Sequence, residues 1–212
     1  SLTRLKKDAM IVNNVSLSAS LLNDEAFDAQ LAEYRLLIRL GKKEDALLYA
    51  LGLICKAVFR SIAVRPYIEQ IMSSLAIQKK CAIQMLTGEG KTITAGIAAV
   101  LAGWKGVPCH VVTSNDYLAK RDAGLMKPLY EWCGLSVGYV IATMQSPERK
   151  AAYDCDITYS TSKELLADFL RDKIAKDAGS RKGSDLFGII AAGTAGDKQV
   201  MRGLHTAIID EA

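Results

Sequence analysis

The rhythm of apolar and polar positions changes at Cys81. Before it the spacing is helical. Asn23 or Asp24 caps a predicted helix running to about Leu40, and Gly41 ends it. Residues 42–64 read as a second helix, and Pro66 starts a third at its first turn. Residues 1–20 carry a basic start (Arg4, Lys6, Lys7) and no clear pattern beyond it. After Cys81, short apolar runs alternate with helical segments. Residues 81–85 and 107–113 read as strands, the second followed by a helix capped at Asn115 and stopped at Gly134. Residues 136–141 and 157–160 are further strand candidates, and a helix is predicted from Ser162 to about Lys176. The run from His205 reads as a buried strand. Strand–helix alternation predicts an α/β protein: a parallel sheet covered by helices, preceded by an N-terminal helical segment. The division is expected at 1–64 and 65–212.

The junction between the first strand and its helix carries the chemistry. Met85-Leu-Thr-Gly-Glu-Gly-Lys-Thr92 has the context of a phosphate-binding loop: strand, glycine-rich turn, helix. Gly88 and Gly90 let the backbone curl so that successive N–H groups face one anion, Thr87 and Glu89 completing the turn. The helix N-terminus adds partial positive charge. Lys91 reaches the terminal phosphates and Thr92 is placed to ligate Mg²⁺. Met85 stands where the usual pattern opens with glycine. At the far end, His205-Thr-Ala-Ile-Ile-Asp-Glu-Ala212 closes an apolar run with two carboxylates. Ligands of open α/β sheets bind beyond the carboxyl ends of the strands. Asp210 is therefore expected to face the Mg²⁺, through water, and Glu211 to orient or deprotonate the attacking water.

Composition narrows the alternatives. Half of the 212 residues are hydrophobic, enough for one substantial core. A net charge of +4 is too mild to argue for nucleic acid. The five cysteines are widely spaced without a C-x-x-C, and read as small buried hydrophobes in a reducing compartment. Only His110 and His205 are available, too few for a histidine-rich metal site. No cleavable signal or membrane span is evident: Lys56 and Arg60 interrupt the apolar stretch 46–64, which reads as a core helix. Residues 179–198, with the Gly-rich piece 186–196, read as a surface loop.

Several segments together resemble the first motor domain of SecA, the ATPase that drives preproteins through the SecY channel. They are the loop itself with its methionine, His110-Val-Val-Thr-Ser-Asn-Asp-Tyr-Leu-Ala-Lys-Arg-Asp122, Asp156-Ile-Thr-Tyr-Ser-Thr161 and Asp168-Phe-Leu-Arg-Asp172. Upstream, Leu22-Asn-Asp-Glu25 and Arg65-Pro-Tyr67 with Gln70 fit the same family. The resemblance implies a RecA-like P-loop fold, binding of ATP and ADP with Mg²⁺, and a DEAD-like helicase-type motor. It implies SecY and preproteins as partners, a second motor domain, and a cytoplasmic protein held peripherally at the inner face of the cell membrane. Gln70 is implied as the reader of the base: a glutamine amide pairs with the N6 donor and N7 acceptor of adenine. Tyr67 either packs on the base or is a core aromatic. Arg121–Asp122 reads as an ion pair or solvated face, and Asp168, Arg171 and Asp172 as a helical charge cluster.

The sequence departs from the family at Ser73-Ser74, where a glycine pair is usual, at Leu166-Ala167 and at Lys173. An insertion lies between Asp172 and His205. Two other readings share the motor fold: an RNA or DNA helicase, and a non-catalytic nucleotide sensor. Thr113-Ser-Asn-Asp-Tyr-Leu, standing where such helicases carry a Thr-Arg-Glu-type strand-binding stretch, argues against the helicase, and the intact Lys91, Thr92, Asp210 and Glu211 argue against a sensor.

Overall fold

The chain begins with a helix that its spacing does not announce: α1 (Leu2–Ser18) buries only Ala9 and Val12 fully, too sparse a stripe to read. A computed structural model describes residues 1–41, 44–86, 88–181 and 199–210. A short 3-10 turn (Ala19–Leu21) leads to α2 (Asp24–Arg39), capped by the Asn23 side chain, which accepts from the Ala26 amide at 2.9 Å. α3 (Glu44–Ile62) is the core helix expected of the stretch from residue 46, with Leu51, Leu53, Ile54, Ala57 and Val58 fully buried. The start expected at residue 42 lies outside the described residues. α1 crosses α3 closely at Gly52, where a Cβ would stand 2.4 Å from Val15 Cγ1. α4 (Ile68–Gln78) starts two residues beyond Pro66, and α5 (Lys91–Trp104) is buried from Thr94 to its end. Among the described residues, no helix is long and apolar enough to cross a membrane.

The strands are β1 (Cys109–Thr113), β2 (Val137–Tyr139), β3 (Ile157–Thr161) and β4 (Thr206–Ile209). They pair in parallel in the order β2-β3-β1-β4, with Cys109 opposite both Ile157 and Thr206. This is the expected α/β architecture. The central strands β1 and β3 are buried at every position, as a sheet covered on both faces requires. α6 (Asp116–Trp132) packs on β1, β2 and β3, with Asn115 capping it through a 2.9 Å bond from the Leu118 amide. α7 (Ser146–Tyr153), which the sequence reading passed over, packs on β2 and β3, and α8 (Ser162–Arg181) on β3. α8 runs past the helix end expected near Lys176. The surface-loop reading of 179–198 falls largely outside the described residues.

Two strand expectations are corrected. β4 is not a buried strand: only Ile208 is covered, and Ile209 is 64% exposed. Among the described residues it is the sheet's edge, with a neighbour on one side alone. Residues 81–85 do not join the sheet. A cleft of about 780 Å³ is lined by these residues on one side and by β4 on the other. Paired strands lie only about 4.8 Å apart, so no ladder spans such a gap.

Candidate nucleotide-binding site

Two of the predicted site residues, Lys91 and Asp210, line that cleft, whereas Gln70, Gly88, Glu89, Gly90 and Thr92 do not. The loop delivers Lys91 to it from the first position of α5, and the carboxyl end of β4 delivers Asp210. Asp210 is held in line by its amide, which donates to the Val112 carbonyl at 2.8 Å and so extends the β1–β4 ladder by one bond. Thr92 lies half-buried at the second position of α5. Thr87 and Glu211 lie outside the described residues.

The loop turns through two left-handed glycines, Gly88 at φ +88° and Gly90 at φ +81°. A Cβ on Gly88 would meet nothing within 4 Å, so the concavity before α5 is open. Glu89 closes the turn from inside, its carboxylate accepting from the Leu86 amide at 2.9 Å. Gly90 caps α5 through its carbonyl, which accepts from the Ile93 and Thr94 amides. The arrangement suits an anion at the helix start: left-handed turns, an amide-rich N-terminus and a lysine beside it.

Gln70 occupies a place the sequence does not foretell. It is 4% exposed and clasps the loop: its Nε2 donates to the Glu89 carbonyl at 2.7 Å, and its Oε1 accepts from the Tyr67 amide at 3.0 Å. Gly90 leaves room for this clasp, since a Cβ there would stand 2.2 Å from Gln70 Nε2. Behind it, the Ser74 hydroxyl sits 3.0 Å from both the Gln70 and Thr94 carbonyls, tying α4 to α5. Tyr67 is 71% exposed, which removes its core-aromatic reading.

The remaining flagged charges sit elsewhere. Arg121 and Asp122 form an ion pair at 2.7 Å. Asp168 is bonded by Arg171 at 2.8 Å, but it is also 1% exposed and held by two groups from α7. Arg149 reaches it at 2.7 Å and the Tyr153 hydroxyl at 2.9 Å. The same guanidinium binds Glu164 at 2.6 Å and the carbonyls of Met144 and Ile141. Asp172 accepts instead from the Val200 and Met201 amides. The helical charge cluster is therefore present as the Asp168–Arg171 pair, and Asp168 also belongs to a buried anchor built with α7. The signal for it was present: Glu164, Asp168 and Asp172 recur every four residues on α8, one acidic stripe along a single face. The cysteine reading also needs correcting. Cys55, Cys109 and Cys133 are buried, and burial pushes the Cys55 and Cys109 thiols up to about 12, but Cys81 is exposed beside the cleft.

Comparison with known proteins fits this geometry. The SecA DEAD-like domain model matches residues 1–212. The chain is 44% identical over 177 residues to "Protein translocase subunit SecA 2" of Magnetococcus marinus, covering 82% of this chain and 27% of that protein. It is 35% identical over 209 residues to "Protein translocase subunit SecA" of Syntrophomonas wolfei, covering 98% and 23%. "Protein translocase subunit SecA 1" of Corynebacterium diphtheriae is 39% identical over 209 residues, covering 98% and 22%. The chain thus spans about a quarter of the length of these curated relatives. With a parallel sheet, a glycine turn opening α5 and a carboxylate at the end of β4, the chain belongs to the SecA DEAD-like domain family.

Proposed function

We propose that this chain binds ATP and ADP with Mg²⁺ as the first motor domain of a SecA-type ATPase moving preproteins through the SecY channel. The observation that carries the reading is the convergence of Lys91 and Asp210 on one open cleft, beside a loop turned by Gly88 and Gly90. The amides opening α5 and the Lys91 ammonium hold the phosphates. Thr92 and Asp210 supply oxygen donors of the kind Mg²⁺ prefers, Asp210 through water. Mg²⁺, when bound, neutralises charge on the phosphates. Glu211 orients or deprotonates the attacking water.

Gln70 serves both the loop and the base. An amide side chain has two donor hydrogens and two acceptor lone pairs. One of each is spent on Glu89 and Tyr67, which leaves one of each for adenine. Residues 65–212 form the nucleotide unit, with 1–64 braced against it. Turnover by the 212-residue chain alone is expected to be slow. A second motor domain supplies arginines in such machines, a contribution worth roughly 10³–10⁵ in rate where measured. In the whole protein the partners are SecY and preproteins, with peripheral contact to the cytoplasmic face of the membrane.

Titration with a fluorescent ADP analogue tests the reading, with GDP as competitor. Saturable binding is expected, weakened about tenfold or more by Lys91→Ala through loss of its charge-assisted bonds. Gln70→Ala is expected to narrow the preference for ADP over GDP. Undiminished binding by Lys91→Ala, or equal competition by ADP and GDP against the parent chain, overturns it.

A further inference from the structure

Away from the nucleotide cleft, a second cavity of about 60 Å³ opens where α1, α3 and the turn before α4 meet. Asn13, Ser16 and Ser20 line it on one side, Lys56, Phe59 and Arg65 on the other. Lys56 is only 8% exposed, and its ammonium lies 4.9 Å from the centre of the Phe59 ring. The Arg65 guanidinium approaches the same ring at 4.7 Å. Two cations thus share one aromatic ring. Among the described residues, neither forms an ion pair with a carboxylate.

Arg60, one turn along α3, shows what a satisfied cation looks like here. It holds Asp24 at 2.6 Å and the Leu22 carbonyl at 3.0 Å. Lys56 has no such partner, and burial together with the charges of Arg60 and Arg65 pushes its pKa below the usual lysine value. Covered cations are ordinarily paired. The neutral groups around it are also unspent. Asn13 and Ser16 lie half-buried, and among the described residues neither side chain makes a hydrogen bond to the protein. Ser20 Oγ donates to the Ser16 carbonyl at 3.1 Å. Residues carrying two cations, an amide and a hydroxyl line one cavity, and among the described residues none of its lining is a carboxylate.

We infer that this cavity binds a small oxyanion of the phosphate class between Lys56 and Arg65, with Asn13 and Ser16 as neutral donors. Size agrees with that class. One water needs about 10–15 Å³ of such space, so the cavity admits a four-oxygen anion but cannot enclose a whole nucleotide. Pro66 and Ile71, which bracket Gln70 in sequence, also line it. An anion there bridges α1 and α3 to the helix that clasps the phosphate loop.

The test uses the 212-residue chain carrying Lys91→Ala, so that the nucleotide loop contributes little phosphate affinity. Thermal unfolding is followed as inorganic phosphate replaces chloride at constant ionic strength, and again with glycerol 3-phosphate. Saturating phosphate is expected to raise the melting temperature by about 2–4 °C, with the rise lost in Lys91→Ala/Lys56→Met. A rise with glycerol 3-phosphate also places the anion on a larger molecule's phosphoryl group; a rise with inorganic phosphate alone restricts the site to the free ion. No rise with either, or a rise that survives Lys56→Met, overturns the inference. Should the double variant not fold, the NMR titration of the Lys56 ε-methylene decides. Phosphate moves it to higher pH if the anion sits on Lys56, and an unmoved titration overturns the inference.

Discussion

The β2 side of the sheet buries its charged groups, whereas on the β4 side they line an open cleft. Beside β2 and β3, Arg149, Glu164 and Asp168 are each less than a tenth exposed, and every one is met by a partner from the same chain. Beside β4, Lys91 and Asp210 line an open cleft with exposed Ile83 and Ile209. One side uses charge to hold elements together. The other leaves apolar edges and a glycine-turned loop facing a space large enough for a ligand. Burial among partners marks the structural cluster, and an open cleft marks the candidate site.

Removing the centre of the satisfied side has the largest expected effect. Burial alone would lower the Arg149 pKa, but its bonds to Asp168 and Glu164 outweigh that and hold it above the usual value. Arg149→Ala strands two buried carboxylates, at an expected cost of about 3–5 kcal/mol in urea denaturation. A loss below about 1 kcal/mol would mean that the cluster relaxes to solvent and is no anchor. Nucleotide affinity of the fraction that remains folded should change little.

The cleft side breaks differently. Gly90→Ala meets both a left-handed φ of +81° and Gln70 Nε2 at 2.2 Å, so the clasp must open. Gly88→Ala has a similar φ of +88° but open space. Backbone strain of this kind costs about 1–3 kcal/mol, and the first variant adds displacement of Gln70. Gly90→Ala should therefore lose more ADP-analogue affinity than Gly88→Ala. Equal losses would show that the clasp does not matter to binding.

How legible each side was in the sequence follows from the same contrast. The loop was readable because its chemistry is local: glycines, lysine and threonine within a few residues, followed by an apolar helix. The caps at Asn23 and Asn115 were readable for the same reason. The Arg149 anchor joins residues 15 and 19 positions apart through side-chain geometry; the acidic stripe on α8 marks one half of it, and nothing in the sequence pairs that stripe with Arg149. Ser74 shows the limit well. It reads as a mere departure from a family glycine, yet its hydroxyl joins α4 to α5. Residues 81–85 have a strand's composition, but a strand also needs a partner across the ladder, and β4 lies beyond the cleft.

His110 sharpens the comparison at the smallest scale, as a buried side chain on the side of the Arg149 anchor with one ring nitrogen unsatisfied. It is 2% exposed on β1, with its ring against Tyr153 at 5.9 Å. Its Nε2 lies 3.1 Å from the Gly203 carbonyl, while Nδ1 has no hydrogen-bond partner among the described residues. Burial lowers its pKa, and the charges of Arg202 and His205 add to this, against the Gly203 bond. A second ring proton would be placed on Nδ1, where no acceptor waits. The unfolded chain, with a histidine near its ordinary value of about 6.5, binds that proton more readily. Stability is then fully present above about pH 7 and falls as pH drops through 6.5 toward the depressed folded value. One proton sets the limiting slope at about 1.4 kcal/mol per pH unit. Urea denaturation between pH 7.5 and 5.5 should show this loss, in a window above the carboxylates. His110→Gln keeps a donor for the Gly203 carbonyl and cannot titrate, so its stability should be flat there. A slope unchanged by the substitution would assign the loss to another group.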